Sequence, residues 1–456
     1  MTVIQEKVSR QNVFFDSQQT KDINYRIRHL KRLRDEIQRS QQAILEALAL
    51  DLGKANFEAY SSEVGYLLES IHHFIKNLKK WAKPIRKVSP LFMPISKSRI
   101  YYEPLGVVLI IGPFNYPLQL VLEPLIGAIA AGNTCLLKPS EKTPYTNQIL
   151  QTIISEVFAP EYVDVIFGGE EVVTELIHSK VHHIFFTGSE KVGRVVMEAA
   201  SKQLIPVTLE LGGKSPTIVH ADADIKKAAA RIAWGKFYNT GQTCIAPDYV
   251  YVHQSIKNEF LEALKATILS FYGEKPLTSP DFGRIIDEES FNRLVGLIDE
   301  KKLFYGGEYD RERLKIAPTV LTEVDWTDTV MQEEIFGPIL PVLTYASLDE
   351  TLSVIKEKPS PLAFYLFSES RKIQQEGIQC MPFGGGCIND TISQVTSPRL
   401  PFGGVRNSGM GSYHGKESFM TFSNKKSIMK KSTLFDIKIM YPPYKGKLSL
   451  LKKIMK

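Results

Sequence analysis

A single cysteine lies in a short connection that reads Phe237-Tyr238-Asn239-Thr240-Gly241-Gln242-Thr243-Cys244-Ile245-Ala246-Pro247. A helical pattern leads into this connection, and a strand pattern over residues 249–252 follows it. Gly241 and Pro247 predict that both elements end outside the loop. A thiol on such a loop can face a cavity and act as a nucleophile if a base or a positive field supports the thiolate. The alternative is a buried structural cysteine, because free cysteines are among the most buried residues.

A glutamate lies about thirty residues upstream, in the stretch Leu209-Glu210-Leu211-Gly212-Gly213-Lys214-Ser215-Pro216. Glu210 ends a strand-like run that begins at Pro206. A carboxylate at a strand end beside flexible backbone is well placed to act as a general base in a cavity. The alternative is an ordinary exposed glutamate before a turn.

Short apolar runs alternate with helical patterns from Pro104 onward. Strands are predicted over residues 107–111, 135–137, 163–167 and 183–186, and a second such pattern runs from Ile218 past residue 400. The expected fold class is α/β, with two doubly wound parallel-sheet domains and a small bridging segment. Ligands bind such sheets beyond the carboxyl ends of the strands, and several of the motifs discussed next fall there.

Seven motifs, in this order along the chain, resemble those of the aldehyde dehydrogenase superfamily. They are Gly112–Pro117, Lys138–Glu141, Phe186–Ser189, Leu209–Pro216, Asn239–Cys244, Glu333–Pro338 and Pro401–Val405. The resemblance extends to about Ser423, and the short N-terminus and Tyr441-Pro442-Pro443-Tyr444 are similar to the class 3 branch. It implies a cofactor-binding domain over residues 1–84 and 104–211 and a catalytic domain over 212–408. It also implies bridging, oligomerising segments over 85–103 and 409–445, followed by a basic tail over 446–456.

The resemblance implies oxidation of an aldehyde to a carboxylic acid. Cys244 would attack the carbonyl carbon, and the Asn115 side chain and the Cys244 backbone N–H would hold the oxyanion. Hydride transfer to a nicotinamide would leave a thioester, which Glu210 would hydrolyse by activating water. Family members that pass the acyl group to coenzyme A generally lack a glutamate at this position, so Glu210 favours hydrolysis.

The implied cofactor is NAD or NADP. The Gly188-Ser189 loop is not a Gly-x-Gly-x-x-Gly fingerprint, and by composition it is only a strand-to-helix turn whose amides can meet a phosphate. The residues that the resemblance assigns to cofactor binding are Lys138, Glu141, Gly188, Ser189, Glu334 and Phe336. A glutamate beside the ribose disfavours a 2′-phosphate by like charge, so Glu141 favours NAD. The alternative for Lys138 and Glu141 is a surface ion pair of small energetic value.

The substrate pocket is expected to include Tyr116, Thr243 and Ile245, which suggest an apolar, partly aromatic lining. No arginine lies beside the nucleophile to bind a second carboxylate, which weakens the interpretation as a semialdehyde dehydrogenase. Aliphatic aldehydes of medium or long chain, aromatic aldehydes and isoprenoid aldehydes remain candidates. A catalytically silent relative with a structural or binding role is the alternative outside enzymes.

Charge is concentrated at the C-terminus. The whole chain has a net charge of +6, whereas residues 424–456 carry ten lysines and one aspartate, or +9, so the rest of the chain carries −3. This distribution argues against a nucleic-acid-binding core, and the cysteines and histidines show no metal-ligand spacing. Without a signal core or an apolar run of membrane-spanning length, a cytoplasmic location is expected.

The tail over residues 446–456 places Leu448, Leu451, Ile454 and Met455 near one face of a short helix, with lysines largely elsewhere. Such a helix can lie on an anionic membrane, which gives a possible peripheral membrane contact. The alternative is docking on its own or a partner subunit. A homodimer is expected by analogy with class 3.

Overall fold

The computed structural model describes residues 2–90, 96–434 and 440–454. Parts of the predicted bridging segments (91–95 and 435–439) and the last two residues of the predicted tail, Met455 and Lys456, lie outside these ranges. The α-helices are α1 (Val3–Asp16), α2 (Ile23–Arg39), α3 (Gln41–Leu52), α4 (Asn56–Ala59), α5 (Gly65–Trp81), α6 (Gln119–Ala131), α7 (Pro144–Val157), α8 (Glu170–Ile177), α9 (Glu190–Ser201), α10 (Ile225–Phe237), α11 (Lys257–Tyr272), α12 (Glu288–Val295), α13 (Leu348–Lys356), α14 (Arg371–Gln379), α15 (Gly415–Thr421) and α16 (Leu448–Ile454).

The strands are β1 (Ile85–Lys87), β2 (Ser96–Pro104), β3 (Val107–Ile111), β4 (Thr134–Lys138), β5 (Val163–Val165), β6 (His183–Thr187), β7 (Val207–Glu210), β8 (Pro216–Val219), β9 (Tyr249–His253), β10 (Leu303–Tyr305), β11 (Tyr309–Asp310), β12 (Lys315–Ile316), β13 (Thr319–Leu321), β14 (Ile339–Tyr345), β15 (Ala363–Phe367), β16 (Gly385–Ile388), β17 (Gly409–Met410) and β18 (Ser423–Lys431). A π-helical turn, Tyr60–Val64, joins α4 to α5, and 3₁₀ turns cover Gln19–Lys21, Tyr238–Gly241, Gln254–Ile256, Pro276–Thr278, Glu300–Lys302, Thr329–Met331, Ser393–Thr396 and Arg406–Ser408.

The first sheet has the strand order β17-β7-β6-β3-β4-β5, and all its pairs are parallel except β17 with β7. Strand β3 is buried along its whole length, as a continuous apolar run between two helical layers requires. Ile111 pairs with both Lys138 and Phe186, so the carboxyl ends of β3, β4 and β6 meet at one edge. The motifs that follow these strands therefore lie side by side.

The second sheet has the order β10-β13-β14-β9-β8-β15-β16, and only β10 runs antiparallel to its neighbour. The predicted α/β fold with two parallel-sheet units is confirmed. Strands β8 and β9 flank α10 and the cysteine loop in the chain, so this sheet carries the cysteine.

A third, antiparallel sheet has the order β1-β2-β18, with β2 and β18 paired from Ser423 opposite Pro104 to Lys431 opposite Ser96. The segment just before β18 does not belong to this third sheet. Its strand β17 pairs with β7 of the first sheet instead. Helix α15 packs closely on α6, where a Cβ on Gly127 would lie 2.5 Å from Ser418. Residues 409–422 thus lie against the first sheet, although they were predicted to belong to the bridging segment 409–445. The division into domains stays a prediction.

Helices α2 and α3 cover one face of the first sheet. Leu30, Leu33, Ile37, Ile44 and Leu48 are all fully buried in one core with β3 and β4. The helical spacing of apolar residues through 20–50 does not correspond to one helix, because α2 ends and α3 begins at Ser40. Among the helices of the described ranges, none is long and apolar enough to cross a membrane.

Candidate active site

The cysteine loop begins with three consecutive residues in the left-handed backbone region. The φ angles of Asn239, Thr240 and Gly241 are +52°, +55° and +74°. Gly241 is required at its place, because a Cβ there would lie 2.2 Å from the carbonyl oxygen of Gly337. The Asn239 side chain stabilises the turn by donating to the carbonyl oxygens of Asn115 and Gln242, both at 3.0 Å.

Side chains on both sides of Cys244 tie the loop to the second sheet and its connections. The Gln242 amide donates to the Arg284 carbonyl at 2.9 Å and accepts from the Ile286 N–H at 3.0 Å. The buried Tyr365 of β15 donates its hydroxyl to the Ile245 carbonyl at 2.7 Å. The backbone that carries the thiol is therefore fixed on either side.

Asn115 and Tyr116 contact this loop directly. The Asn115 Nδ2 donates to the Gln242 carbonyl at 3.0 Å, and the Tyr116 hydroxyl lies 2.7 Å from Thr243 Oγ1. A carboxamide has two N–H donors, so one remains for a ligand. The Asn115 Oδ1 is buried and accepts no hydrogen bond from residues of the described ranges. Ile245 instead places its side chain in the hydrophobic core beside the second sheet.

The segment that carries Asn115 is held by a buried ion pair. Glu63 accepts from the N–H groups of Leu118 and Gln119 at 2.9 and 3.2 Å and from Lys54 Nζ at 2.6 Å. The Lys54 ammonium also lies 4.2 Å from the centre of the Tyr116 ring, a favourable cation–π contact. The N-terminal helices thus position the residues that face the cysteine.

Glu210 is the last residue of β7 and is 2% exposed. Neither carboxyl oxygen has a hydrogen-bond partner among the residues that the structure describes, and burial raises the pKa of Glu210 well above the ordinary range. Burial also raises the pKa of the Cys244 thiol, with further contributions from Glu334 and Glu210. Both carboxyl groups thus lie close enough to act on the thiol, and the neutral forms of the thiol and of the Glu210 carboxyl are favoured. The thiol therefore needs a proton acceptor before it can attack.

The predicted cofactor residues gather at the carboxyl edge of the first sheet and at its border with the second. Lys138 ends β4, is 2% exposed, and donates to Pro139 O at 2.8 Å and Glu141 Oε2 at 3.2 Å. Burial opposes ionisation of Glu141, but its own backbone N–H and Lys138 outweigh it and lower its pKa. Ser189 follows Gly188 and caps α9 by accepting from the Val192 N–H.

Glu334 and Phe336 come from the second unit and face the first. The Phe336 ring meets the Phe114 ring edge to face at 5.8 Å. A Cβ on Gly212 would lie 2.0 Å from Glu334 Oε2, so this glycine leaves the space that the carboxyl occupies. Burial first, and then the charge of Asp248, raise the pKa of Glu334 to about 8. The half-buried Glu334 carboxyl, the buried Lys138 and the N-terminus of α9 fit the polar groups of a dinucleotide.

Two residues that hold Glu334 were not singled out from the sequence. Lys214 pairs with the Asp248 carboxylate and donates to the carbonyls of Val330 and Glu333 at 3.0 and 2.9 Å. Asp248 in turn accepts from the Ile335 N–H at 2.9 Å. Lys214 lies in the motif Leu209–Pro216, and Asp248 follows Pro247. Both are charged residues within otherwise apolar stretches, and this charge could have indicated a role at the site from the sequence.

Lys236, near the end of α10, is a buried lysine whose Nζ has no hydrogen-bond partner within the described part of the chain. Burial lowers its pKa to about 8, while Asp248 and Glu334 oppose the decrease. The pKa of a lysine in an unfolded chain is near 10.4. Below pH 8 the buried charge of Lys236 therefore lowers the stability of the folded protein, and this destabilisation disappears as the pH rises toward 10.

We expect the Lys236→Met protein to be more stable than the original at pH 7, by up to about 3 kcal/mol. The difference should shrink as the pH approaches 10, because the original protein gains stability there. Denaturant unfolding at several pH values measures it, with Lys226→Met on the exposed side of α10 as the control. A variant that is less stable than the original by the same amount at every pH would contradict the prediction.

Known proteins resemble this chain along almost its whole length. The profile of the aldehyde dehydrogenase family matches residues 5–428. A Staphylococcus aureus protein named 4,4'-diaponeurosporen-aldehyde dehydrogenase is 50% identical, with 100% of both chains covered. A rat protein named aldehyde dehydrogenase, dimeric NADP-preferring, is 44% identical and covers 98% of this chain and 99% of its own.

Solved structures agree. The substrate-bound state of Staphylococcus aureus AldH has a TM-score of 0.99 at 49% identity, with 100% of both chains covered. The expected likeness to the class 3 branch is confirmed by relatives named as family 3 members at 42–44% identity. With its two sheets, its cysteine loop and its motifs in the family's order, this chain belongs to the aldehyde dehydrogenase family.

Proposed function

We propose that Cys244, Glu210 and Asn115 carry out the reaction of this enzyme, the oxidation of an aldehyde to the carboxylic acid with NAD or NADP. The observation that supports these assignments is the meeting of the Asn115 carboxamide, the cysteine loop and the unpartnered Glu210 carboxyl between the two sheets. The residues proposed to hold the cofactor are Lys138, Glu141, Gly188, Ser189, Glu334 and Phe336.

In the first step the Cys244 thiol loses its proton to water, and the sulfur then bonds to the carbonyl carbon, whose oxygen becomes an oxyanion. The free N–H of the Asn115 carboxamide and the Cys244 backbone N–H stabilise that charge. A bound nicotinamide would supply the hydride acceptor for the oxidation, which leaves Cys244 in a thioester. Glu210 then takes a proton from water as the water oxygen bonds to the acyl carbon. The carbon–sulfur bond breaks, and the carboxylic acid and the Cys244 thiolate are released.

Asn115→Ala is expected to lower kcat about 100- to 1,000-fold, because it removes one oxyanion donor. Steady-state rates at saturating aldehyde and cofactor measure this. Asn77→Ala is the matched control, since the Asn77 amide on α5 interacts with His73 of the same helix. A variant with normal kcat and only a raised KM for cofactor would remove Asn115 from the oxyanion site.

The proposed substrates are apolar aldehydes of the long-chain or isoprenoid kind. The first relative described above is named for an isoprenoid aldehyde. Beside the cysteine loop of this chain, the ring of Tyr238 meets that of Trp234 at 5.7 Å, and Trp234 is 38% exposed. Together with Tyr116 these rings offer an aromatic approach to Cys244, which suits an extended apolar chain.

The test is the rate of cofactor reduction with long aliphatic and isoprenoid aldehydes, benzaldehyde and succinic semialdehyde, each with NAD and with NADP. The highest kcat/KM for the long apolar aldehydes would support the proposal. A preference for succinic semialdehyde would contradict it and favour a semialdehyde dehydrogenase. Higher kcat/KM with NAD would agree with the charge of Glu141. Turnover with none of them would favour a silent relative.

A homodimer is proposed, since the rat relative is named dimeric and the residues of β18 beyond Ser423 are exposed. Light scattering of the full chain measures it, with a monomer mass as the contradicting result.

The tail helix α16 has two proposed roles, contact with an anionic membrane and docking on a subunit. Leu448 and Leu450 are 62% and 50% exposed, and Lys452 and Lys453 are exposed as well, while Leu451 is half-buried. If the tail binds membranes, the full chain will co-sediment with vesicles of anionic lipid and a chain ending at Lys445 will not. Equal partitioning of both would leave subunit docking as its role.

A further inference from the structure

A series of hydrogen bonds reaches the cysteine loop from the edge of the second sheet. It joins Cys387 of β16, Gln394 of the turn Ser393–Thr396 and Tyr365 of β15 to the carbonyl of Ile245. We call these three side chains the Tyr365 chain. None of them takes part in the reaction steps above, although the chain ends one residue from the proposed nucleophile.

The pairing of β15 with β16 places Tyr365 and Cys387 side by side. They are register partners in parallel strands, so their side chains point to the same face of the sheet. On that face Tyr365 is fully buried in the core that contains Ile245. Cys387 and Cys244 are packed against the same core. The tyrosine hydroxyl thus reaches the cysteine loop from a central strand.

The chemistry of the groups fixes the direction of the hydrogen bonds. The Ile245 carbonyl can only accept, so the single hydroxyl proton of Tyr365 lies between the two oxygens, which are 2.7 Å apart. The Tyr365 oxygen then accepts from Gln394 Nε2 at 3.2 Å, and Gln394 Oε1 accepts from Cys387 Sγ at 3.0 Å. All three hydrogen bonds therefore point toward the loop. Successive hydrogen bonds that point in one direction polarise and strengthen one another.

The same direction continues through the backbone of the loop. The carbonyl of Ile245 shares a peptide group with the N–H of Ala246, and this N–H donates to the Thr243 carbonyl at 2.9 Å. The Thr243 carbonyl shares a peptide group with the N–H of Cys244. A peptide group whose carbonyl accepts a hydrogen bond becomes a stronger donor at its own N–H. The series thus ends on the N–H that is proposed to stabilise the oxyanion.

The turn that carries Gln394 has an unusual backbone conformation. Ile392, just before the turn, has a φ of +48°, and the left-handed region is costly for a β-branched residue. Its side chain lies in the same core as Tyr365. The neighbouring Thr391 hydroxyl donates to the Arg231 carbonyl of α10 at 2.6 Å. Packing and hydrogen bonds therefore hold this turn in place, and with it the amide that contacts Tyr365.

We propose that Tyr365 and Gln394 are positioning residues for the oxyanion, because they orient the Cys244 N–H and make it a stronger donor. This inference rests on the proposed role of the Cys244 N–H. An oxyanion develops when the sulfur bonds to the aldehyde and again when water attacks the thioester, so the Tyr365 chain acts on both halves of the reaction. No proton moves along the chain, and each of its groups keeps its protonation state through the turnover.

The test compares full-length Tyr365→Phe and Gln394→Leu with the original protein. Tyr365→Phe keeps the ring in the core and loses the hydroxyl, whereas Gln394→Leu changes a half-buried turn residue to one of similar size. We expect Tyr365→Phe to lower kcat and the rate of the burst of reduced cofactor by about 10-fold, because the donor is weakened and not removed. Gln394→Leu should lower both by about 3-fold. The KM for cofactor should stay the same in both variants.

The double variant tests whether Gln394 acts through Tyr365. Without the hydroxyl, Gln394 has no route to the Ile245 carbonyl, so the double variant should be no slower than Tyr365→Phe alone. A control for the loss of a buried hydroxyl is Tyr251→Phe, which should keep kcat. Tyr251 lies on β9 of the same sheet, is 7% exposed, and accepts from Trp326 Nε1 at 2.8 Å.

Alkylation of Cys244 by iodoacetamide separates this role from a merely structural one. The reaction forms no oxyanion, so its rate in Tyr365→Phe should differ from the original by less than about 2-fold. Mass spectrometry of the peptide that contains Cys244 measures this rate apart from the other cysteines. An equal decrease in alkylation and in aldehyde oxidation would overturn the inference, because the hydroxyl would then only hold the loop together.

A normal kcat in Tyr365→Phe and Gln394→Leu would also overturn it, and a double variant slower than Tyr365→Phe would exclude the role of Gln394. The inference alone fails if Tyr365→Phe keeps its kcat while Cys244→Ala and Asn115→Ala lose activity as expected. If Cys244→Ala still turns over, the proposed function itself fails.

Discussion

Cys244→Ala is expected to abolish aldehyde oxidation while cofactor binding is retained. Loss of a catalytic nucleophile lowers kcat by roughly 10⁴-fold or more. In the proposed mechanism no side chain other than Cys244 forms a covalent bond with the aldehyde. The substitution removes one half-buried sulfur from a loop whose conformation depends on Asn239, Gln242 and Tyr365. The fold is therefore expected to survive. Rates of cofactor reduction over the aldehyde panel measure the first effect, and quenching of protein fluorescence by added cofactor measures the second.

Cys380→Ala is the matched control for this variant. Cys380 is also half-buried, but it lies at the end of α14, where its sulfur donates to the Gly377 carbonyl. Cys387 is a poorer control, because Gln394 and Tyr365 connect it by hydrogen bonds to the Ile245 carbonyl. Turnover that persists in Cys244→Ala would show that another group is the nucleophile.

Glu210→Gln is expected to separate the two halves of the reaction. The thioester still forms, so a burst of about one reduced cofactor per active site appears, but hydrolysis slows by about 100- to 10,000-fold without the base. Glutamine has nearly the same shape as glutamate, so the packing around this buried position is kept. Rapid mixing with a fast aldehyde shows the burst, and the later steady-state rate reports hydrolysis.

Glu36→Gln is the control for Glu210→Gln, because Glu36 is also buried but bonds to Arg39 and Ser40 at the end of α2. A steady-state rate equal to the original, with no burst, would exclude Glu210 as the base.

The parts of the site that depend only on the order of strands and helices along the chain could be predicted from the sequence. Strand ends place Lys138, Ser189 and Glu210 at one sheet edge, and this follows from the alternation of apolar runs and helices. The contacts of Lys214 with Val330 and Glu333 could not be predicted in this way, because the partners lie more than a hundred residues apart and meet only once the second sheet has formed.

Other differences have the same origin. The apolar spacing through residues 20–50 continues across the break at Ser40, because both helices bury the same kind of face against one core. Residues 409–422 were assigned to the bridging segment, since nothing in their composition indicates that β17 pairs with β7.

The ion pair between Lys54 and Glu63 has a consequence for how the enzyme responds to salt. Its side chains are 1% and 0% exposed, so mobile ions screen it far less than they screen an exposed pair such as Arg34 with Asp35. Because Glu63 holds the backbone just after Asn115, the geometry of the proposed oxyanion donor is expected to be insulated from ionic strength. Salt is then expected to act on the surface lysines of the C-terminal segment, so that binding to charged surfaces depends on ionic strength while the rate of the chemical steps does not.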